Sequence, residues 1–479
     1  MKRKKISFLQ YCVLAVLFYF VCITLVYYIA GDQFRYKVSP DSMASVQAEA
    51  PVGEMTKGFL VQQTFQCDVN IIDAFSIEFA TYQRRNNGTV TVSLSDANND
   101  TVFYQEKVDV STLEDNSFRT FQLPDKIAGM KGRLLTISVY SDDLDRANAV
   151  TVYYNTKVRT PNSQLFINGT KTDGLLCFTV TGLEPIFFGQ HYFAIMGTVG
   201  FLFALYCFNL CRKEKSGKKS LGLNVIHAFT KYKFLLDQLV DRDFKTKYKR
   251  SVLGVLWSFL NPLLTMMVQY IVFSTIFKTD IPNYPVYLLT GIVFFNFFAE
   301  AVGMALNSIV SSASLITKVY IPKYIFPISR VMSSFINFSL SLIPLFIVIF
   351  LTGTTITPAV LLLPFAIVCT IIFCIGMGML LASSMVFFRD TQFLWSVISL
   401  LWMYATPLFY PESIIPARFT FVLKFNPMYH FIRFARAVLQ QGISPQPKAY
   451  LFCLIAALVP FFVGAFVFKK TQDKFMLYI

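Results

Sequence analysis

The order of the apolar segments constrains this chain more than any other feature of its sequence. Two apolar segments, Phe8–Ala30 and Ile186–Cys211, bracket a polar stretch, and a third block, from about Gly254 to Phe468, is almost continuously apolar. A helix needs about 20 apolar residues to cross the hydrocarbon core of a bilayer, which is about 30 Å thick. The sequence therefore predicts a polytopic α-helical membrane protein with one water-exposed domain near its N-terminus.

The composition agrees with that class. Hydrophobic residues make up 54% of the chain and charged residues only 15%, whereas about 25% of the residues in a typical soluble domain are charged. The formal net charge is +15. Because lysine and arginine gather in the cytoplasmic loops of membrane proteins, this charge does not indicate a nucleic-acid partner.

Basic residues beside the apolar segments predict the orientation in the membrane. We expect residues 1–30 to form an anchor with its N-terminus in the cytoplasm, although a cleaved signal peptide is the alternative. Residues 31–185 would then be extracytoplasmic, residues 186–211 would form a second transmembrane helix, and the C-terminus would be cytoplasmic. The basic residues concerned are Lys2, Arg3, Lys4, Lys5, Arg212, Lys213, Lys215, Lys218, Lys219, Lys469, Lys470 and Lys474.

The polar stretch has the pattern of β structure. Alternating runs occur at Thr89–Leu94, Val102–Val110, Leu134–Tyr140 and Val150–Tyr154, with polar turn sequences between them. This pattern predicts an all-β sandwich or jelly roll. Its aromatic residues are either core residues or a surface that stacks on sugars. They are Tyr82, Phe103, Tyr104, Tyr140, Tyr153 and Tyr154.

Residues 212–250 form a basic linker followed by a segment, Leu223–Arg250, whose apolar residues recur at helical spacing. This segment predicts an amphipathic helix in the cytoplasmic interface. Residues 251–479 divide into about six spans, with a re-entrant segment near 410–448 where prolines interrupt a stretch too apolar for a solvated loop. The spans are predicted at Leu253–Phe277, Val286–Val310, Phe326–Leu351, Ala359–Phe388, Leu394–Phe409 and Tyr450–Phe468.

Six segments of the C-terminal half carry a family resemblance. They are RDFKTKYKRSVLGVLWSFLNPL (242–263), YLLTGIVFFNFFAEAV (287–302), SLITKVYIPKYIFPISRV (314–331), FFRD (387–390), TPLFYP (406–411) and FNPMYHFIRFAR (425–436). From about Leu223 onward the chain resembles the membrane subunit of ABC-2 type polysaccharide exporters, the family that moves lipid-linked O-antigens, capsular polymers and teichoic acids. The N-terminal span pair and its β domain are an addition to the basic family plan.

The resemblance implies a permease in the cytoplasmic membrane of a bacterium that is not itself an enzyme. Two copies would form the path for a lipid-linked polysaccharide, and two ABC ATPase subunits would dock below them. The sequence lacks a G-x-x-x-x-G-K-[ST] phosphate loop, so ATP and Mg would be held by the ATPase.

Coupling to the ATPase is expected through the interfacial helix and the Ser311–Ile325 connection. An ordinary solvated turn with cytoplasmic lysines is the alternative for that connection. The predicted coupling residues are Arg242, Asp243, Lys247, Arg250, Lys318, Tyr320, Pro322 and Lys323.

Charged and aromatic residues within the spans predict the translocation path. Glu300 is the clearest charge inside a span, with an interhelical hydrogen bond as its alternative role. Aromatic rings can stack on sugars, although aromatic residues also form belts at membrane interfaces. The predicted channel or gate residues are Phe294, Phe295, Glu300, Asn307, Tyr404, Pro407, Phe409, Tyr410, Tyr429 and His430. Arg433 and Arg436 are predicted to contact the phosphate of the lipid carrier or, alternatively, lipid headgroups.

Other chemistry has little support in the sequence. The three histidines are scattered, and H-E-x-x-H, C-x-x-C and G-x-S-x-G motifs are absent, so we predict neither a catalytic nor a metal site. Cys67 and Cys177 both lie in the β domain and could form a disulfide there. A ligand-binding membrane sensor without an ATPase and a membrane enzyme that processes glycans are the alternative functions.

Overall fold

A computed structural model describes residues 8–39, 48–99, 101–158, 160–218, 220–249, 251–277, 281–319 and 321–478. The chain divides into two compact units, one of residues 1–34 and 191–479 and the other of residues 35–190. The basic cluster at positions 2–5 and Lys219, which the orientation argument uses, lie outside the described residues.

Helices account for nearly all of the first unit, and the second unit contains one short α-helix of residues 187–190. In chain order the helices are α1 (Phe8–Ala30), α2 (Asp32–Arg35), α3 (Phe187–Gln190), α4 (Tyr192–Lys215), α5 (Leu221–Tyr248), α6 (Trp257–Phe277), α7 (Tyr284–Leu306), α8 (Ser308–Ser311), α9 (Ala313–Lys318), α10 (Ile325–Leu351), α11 (Leu363–Phe387), α12 (Thr391–Ala405), α13 (Thr420–Phe425), α14 (Pro427–Leu439), α15 (Pro447–Thr471) and α16 (Phe475–Tyr478). Within the described residues, seven helical segments are long and apolar enough to cross a membrane. The polytopic helical class is therefore confirmed.

One predicted span is not a full crossing. The segment Leu394–Phe409 corresponds to α12, which has 15 residues where a crossing needs about 20. The helix ends because Thr406 precedes a proline and adopts extended backbone angles, the conformation that a following proline favours. The other seven predicted spans correspond to α1, α4, α6, α7, α10, α11 and α15.

Helix α7 forms the centre of the first unit. Of its 23 residues, 17 are buried, and the helix packs against α6, α10, α11 and α14. Helices α11 and α15 cross closely at two glycines, where a Cβ atom on Gly464 would lie 2.0 Å from the carbonyl oxygen of Gly376. Small residues at such crossings let two membrane helices approach until their backbones touch.

The two N-terminal spans pack against each other. Gly200 of α4 lies against the rings of Tyr19 and Phe20 of α1. The hydroxyl of Tyr192 donates to the backbone oxygen of Ile23 at 2.8 Å. A polar group inside a membrane needs such a partner because no water is available to it.

Two antiparallel sheets form the second unit. The strands are β1 (Tyr36–Ser39), β2 (Ala50–Pro51), β3 (Leu60–Gln66), β4 (Ile71–Ala80), β5 (Thr89–Asp96), β6 (Val102–Asp109), β7 (Ser117–Ala128), β8 (Leu134–Ser141), β9 (Thr151–Asn155), β10 (Gln164–Ile167), β11 (Thr170–Thr172), β12 (Leu175–Leu176) and β13 (Phe178–Pro185). One sheet has the order β1-β13-β4-β9-β12, with β2 beside β9 and β7 beside β4, and the other has the order β11-β10-β3-β8-β5-β6.

Alternating apolar residues from both sheets form one core. Strand β5 alternates between buried and half-buried residues, as expected for a strand with one face toward a core. Phe65, Phe75, Phe79, Phe121 and Phe178 are fully buried between the sheets. The predicted all-β sandwich is confirmed, and four of its strands, β5, β6, β8 and β9, coincide with the predicted runs within one or two residues.

The suggested disulfide in this unit is not formed. Cys67 precedes β4 and its thiol donates to the backbone oxygen of Val69 at 3.3 Å. Cys177 is bonded through its backbone to Glu78, near the other end of β4. A strand rises about 3.3 Å per residue, so the two cysteines are separated by most of the length of β4, farther than the roughly 7 Å between Cα atoms that a disulfide tolerates.

Candidate functional site

Two polar clusters lie toward opposite ends of α7. Glu300 belongs to the first, near the C-terminal end, and Tyr287 belongs to the second, near the N-terminal end. The two residues are 13 positions apart, which corresponds to roughly 20 Å along a helix that rises 1.5 Å per residue.

The first cluster, which we call the charged cluster, joins α5 to α7 and α10. The carboxylate of Asp243 in α5 lies 2.9 Å from the guanidinium of Arg330 in α10, and its side chain is only 4% exposed. Arg242 also pairs with Asp243, at 3.0 Å. A buried carboxylate requires such partners because the loss of hydration is costly.

Glu300 continues the charged cluster into α7. Its carboxylate accepts hydrogen bonds from Lys247 of α5 and from Asn337 of α10, both at 2.8 Å. The hydroxyl of Tyr248 donates to the amide oxygen of Asn337 at 3.0 Å. Three helices that are distant in sequence are thus held together by side-chain hydrogen bonds and ion pairs.

An open cavity lies beside the charged cluster. It has a volume of about 650 Å³ and is lined by Arg242, Asp243, Lys247, Glu300, Arg330 and Asn337 among others. An adjoining hollow of about 520 Å³ reaches Asn307. The lining contains three basic and two acidic side chains, so its formal charge is weakly positive.

Several predicted coupling residues meet in this cluster. Of these, Lys247 contacts Glu300 directly, and Arg242 and Asp243 lie in the same cluster. Glu300 itself was predicted as a channel residue and not as a coupling residue. Arg330 and Tyr248 were missed in the sequence analysis. Arg330 could have been found, because a charged residue near the start of an apolar span is a functional candidate.

The remaining predicted coupling residues are spread over a wider surface. Lys318 is exposed on α9 and Pro322 is half-buried. The ammonium of Lys323 donates to the backbone oxygen of Gln472 at 2.6 Å, so it binds the C-terminal segment of the chain. Arg250 and Tyr320 lie outside the described residues.

The second cluster, which we call the loop clamp, holds the chain where α12 ends. The hydroxyl of Tyr284 donates to the carbonyl oxygen of Phe409 at 2.6 Å. The hydroxyl of Tyr287 lies within 3.2 Å of the carbonyl oxygen of Pro407 and 2.8 Å from that of Tyr410. These bonds satisfy backbone oxygens that are not in a helix and have been left without helical partners.

Arg436 of α14 completes the loop clamp. Its guanidinium donates four hydrogen bonds, two to the carbonyl oxygen of Tyr287 and one each to those of Pro407 and Leu408, at 2.8–3.2 Å. It also stands 3.3 Å from the centre of the Tyr287 ring. The absence of a side chain at Gly291 makes room for it, since a Cβ atom there would lie 2.9 Å from Nη2.

The prediction that Arg436 contacts a lipid phosphate is therefore wrong. Its side chain is buried, and its donors are already bound to backbone oxygens. Arg433, one helical turn away, is instead 65% exposed and lies 3.8 Å from Glu412. Arg433 also donates to the hydroxyl of Tyr429 at 3.1 Å, whereas Arg436 has a structural role.

Five of the predicted gate residues lie in the segment after α12 or on α14. They are Pro407, Phe409 and Tyr410 in the segment, and Tyr429 and His430 on α14. Pro407 and Phe409 are buried, and Tyr410 is half-buried. The hydroxyl of Tyr429 donates to Glu412 at 2.9 Å, and the imidazole of His430 lies 2.8 Å from the carbonyl oxygen of Lys424. The structure therefore brings these predicted residues to one place.

Tyr404 precedes the clamped segment and is exposed. Its carbonyl oxygen accepts a hydrogen bond from the hydroxyl of Tyr410 at 2.7 Å. Asn426, which the sequence analysis did not identify, links the indole of Trp402 to the hydroxyl of Thr406, with both distances 2.8 Å. The backbone of Tyr404 is thus bonded to Tyr410 while its ring is exposed.

Phe294 and Phe295 are core residues and do not line a path within one protomer. Both are buried in the middle of α7. Phe294 packs edge-on against Phe338 at 5.2 Å between ring centres, and Phe295 packs in the same way against Phe298 at 5.6 Å. Their prediction as path residues is therefore corrected, because composition alone cannot tell which face of an apolar helix is buried.

Comparison with known proteins places this architecture in a family. The family model described as ABC-2 type transporter matches residues 235–439. The O-antigen export system permease protein RfbA of Myxococcus xanthus is 31% identical over 257 residues, which cover 53% of this chain and 98% of the relative. The chain belongs to the ABC-2 type transporter family. It is thus a multi-pass membrane transport subunit rather than an enzyme.

Other relatives of this ABC-2 transporter subunit agree. RfbA of Klebsiella pneumoniae is 32% identical over 249 residues, which cover 50% of this chain and 95% of the relative. The polysialic acid transport protein KpsM of Escherichia coli is 21% identical over 255 residues, which cover 52% of this chain and 98% of the relative. The charged cluster and the loop clamp lie within the matched region, whereas these relatives are too short to contain the β domain as well.

Proposed function

We propose that the chain is the permease subunit of an ATP-driven exporter that moves a lipid-linked surface polysaccharide, or a teichoic-acid-like polymer, across the cytoplasmic membrane. This proposal rests on the similarity to export permeases that are named for O-antigen, because the chain matches almost the whole length of those relatives. Similarity to a polysialic acid transport protein supports a polymeric substrate more than any one sugar.

The energy source is proposed to be a separate ABC ATPase present in two copies, which would hold ATP and Mg. The sequence has no phosphate loop of its own. Two copies of the permease would form the path between them. In this arrangement a stripe of apolar residues on α12 that is uncovered within one protomer would face the second copy. The stripe consists of Leu394, Val397, Leu401 and Tyr404.

Coupling is proposed to run through α5. A push on α5 by the ATPase would reach α10 through Asp243 and Arg330, and would reach α7 through Lys247 and Glu300. Removing one partner of a buried ion pair typically costs about 3–5 kcal/mol, so α5 and α10 are expected to move together. The open cavity beside the cluster leaves space for such a shift.

The segment Thr406–Tyr410 is proposed to act as the gate at the opposite end of the path. It is not helical, and it is held by the loop clamp on α7 and α14. Non-helical backbone at membrane depth is tolerated where protein covers it or where it lines a cavity. Displacement of α7 by the charged cluster would shift Tyr284 and Tyr287, and with them this segment. Arg433 is proposed to contact the phosphate of the lipid carrier.

The proposed topology places both termini in the cytoplasm and the β domain outside. The cluster Arg212, Lys213 and Lys215 ends α4, as expected for a cytoplasmic end. Since α1 and α4 would each cross once, the segment between them would lie on the other side from α5. There the β domain would bind or guide the emerging glycan.

Co-purification and complementation test this proposal. We expect the full chain to co-purify with the ATPase encoded by the adjacent reading frame, and we expect cells that lack either gene to lose the polymer from their surface. Restoration should require both proteins and an intact phosphate loop in the ATPase. Hydrolysis of ATP by the purified chain alone, or unchanged surface polymer in the deletion strain, would contradict the proposal.

A further inference from the structure

The outer face of the seven-stranded sheet carries a group of aromatic residues, of which Phe118 is exposed, together with the half-buried carboxylate of Glu78. Glu78 of β4 lies directly opposite Phe118 of β7. Tyr153 of β9 follows Val152, which is the partner of Phe79. Because Phe79 and Val152 are buried in the core, their neighbours Glu78 and Tyr153 lie on the opposite, outer face.

The ring of Tyr153 extends across the end of β4. Its hydroxyl donates to the amide oxygen of Asn116, just before β7, at 2.8 Å. Strands β9 and β7 flank β4 at this end, and neighbouring strands lie about 4.8 Å apart, so the tyrosine side chain spans the intervening strand. Phe118 is 47% exposed beside it. The result is an aromatic surface with a carboxylate, Glu78, within it.

Glu78 sits in this surface without a compensating group among the described residues. Burial raises the pKa of its carboxyl group, and the residues that the structure describes provide no hydrogen bond or opposite charge that offsets this effect. Burial is the main cause that raises the pKa of the Tyr153 hydroxyl, and the negative charges of Asp115 and Glu78 raise it further. Both carboxylates therefore lie close to this hydroxyl. A half-buried acceptor that has no partner within the described part of the chain is suited to receive donors from a ligand.

The adjoining loop is held in a strained conformation that exposes a further ring. Tyr82 and Gln83, in the loop that follows β4, both have φ angles of 56°, a region that costs such residues roughly 1–2 kcal/mol. The carboxylate of Asp115 holds this loop by accepting from the backbone nitrogen and the hydroxyl of Thr81, at 2.6 and 3.0 Å. Such strain persists only where the surroundings impose it, and it clusters at functional sites.

We propose that Glu78, Asn116, Phe118 and Tyr153, with Tyr82 at the edge, form a saccharide-binding platform for the exported polymer. The C–H faces of a sugar ring pack on aromatic rings, and its hydroxyl groups donate to a carboxylate or amide oxygen. The identity of the ligand as a polymer of sugars rests on the proposed export function.

A saccharide fits this surface better than a protein partner does. The exposed rings are interrupted by a carboxylate, whereas the centre of a protein interface is depleted of charged residues. A polymer also presents many equivalent sugar units to one platform. Weak binding of each unit is therefore sufficient to retain a polymer that is already held near the protein.

Binding by the full chain in lipid nanodiscs tests the platform. The probe is the lipid-free polysaccharide released from the envelope of the cells that express the chain, and binding is measured by saturation-transfer NMR and titration calorimetry. We expect E78Q and Phe118→Ala to weaken binding at least tenfold. Tyr140→Ala is the matched control, because Tyr140 is a 40% exposed tyrosine on β8 of the other sheet, and it should bind as the unchanged chain does.

The result with E78Q separates binding from folding. Replacing a half-buried carboxylate by an amide should not destabilise the β domain, so loss of binding by this variant cannot be ascribed to unfolding. Failure of the unchanged chain to bind the polymer, or equal binding by E78Q, Phe118→Ala and the unchanged chain, would overturn the platform. The export function fails by a different observation, namely surface polymer that does not depend on the chain and its ATPase.

Discussion

The Asp243–Arg330 pair is the residue-scale contact on which the proposed coupling depends most. Asp243 is nearly fully buried and its partner lies on another helix. We expect Asp243→Asn to lower the free energy of unfolding by about 3–5 kcal/mol, because it leaves the Arg330 charge without its partner. It should also reduce export sharply. Thermal unfolding in nanodiscs and surface polymer measure the two effects.

The exposed pair Asp241–Lys245 is the matched control for that prediction. Asp241 and Lys245 are each two positions from Asp243, on the other side of the same helix, with 2.6 Å between their charged atoms and both side chains largely exposed. Such a pair contributes about 0.3–0.5 kcal/mol, so Asp241→Asn should leave stability and export almost unchanged. Equal effects of the two substitutions would show that the Asp243 contact has no special role.

Arg436 provides a second residue-scale prediction. Arg436→Met would leave the carbonyl oxygen of Leu408 without a donor and would remove one of the two donors to the carbonyl oxygen of Pro407, and a buried unsatisfied group costs about 1–3 kcal/mol. We expect a lower unfolding temperature and loss of export together. Arg433→Gln, at an exposed site, should leave the unfolding temperature unchanged. An unaltered unfolding temperature in Arg436→Met would contradict the structural role.

Glu78 gives a prediction for the pH dependence of the β domain. Its pKa is raised in the folded state, so ionisation disfavours folding, and stability falls as the pH rises from below the unfolded pKa of about 4.3 through the higher folded value. E78Q should therefore be more stable than the unchanged chain at pH 7, with the difference vanishing near pH 4. Hydrogen exchange of β4 amides at both pH values measures this. A variant less stable at pH 7 would contradict it.

At the scale of elements, the crossing of α11 and α15 depends on two glycines. A Cβ atom on Gly464 would lie 2.0 Å from the backbone oxygen of Gly376, and that backbone cannot move without separating the helices. Overpacking of this kind typically costs about 1–3 kcal/mol. Gly464→Ala should lower the unfolding temperature, whereas Gly197→Ala should not, because nothing lies within 4 Å of a Cβ atom on Gly197. Comparable unfolding temperatures would show that the crossing can widen.

At the scale of the whole molecule, the proposed topology is open to a paired labelling experiment. Lys171 in the β domain and Lys318 on α9 are both exposed. A membrane-impermeant thiol reagent applied to intact cells should label Lys171→Cys but not Lys318→Cys, which should react only after permeabilisation. The unchanged chain is the background control, and we expect little labelling of it because its described cysteines are buried or half-buried. Labelling of Lys318→Cys in intact cells would place α9 outside and contradict the proposed coupling.

Segment lengths and alternation determined much of this architecture. Apolar runs of about 20 residues must cross a bilayer as helices, because only a helix satisfies its own backbone within lipid, and seven of the predicted spans are present. Period-two alternation likewise predicted β5, β6, β8 and β9, since successive side chains of a strand point to opposite faces.

Tertiary structure alone decided which polar and aromatic residues meet. The sequence could not show that Arg436 is buried under backbone oxygens from Pro407 and Leu408, or that Phe294 belongs to the core, because an all-round apolar helix gives no sign of which face is covered. It also could not show that Asp243 and Arg330, 87 positions apart, form one ion pair. Local pattern reports the period of a segment, whereas burial and pairing depend on which distant segments pack together.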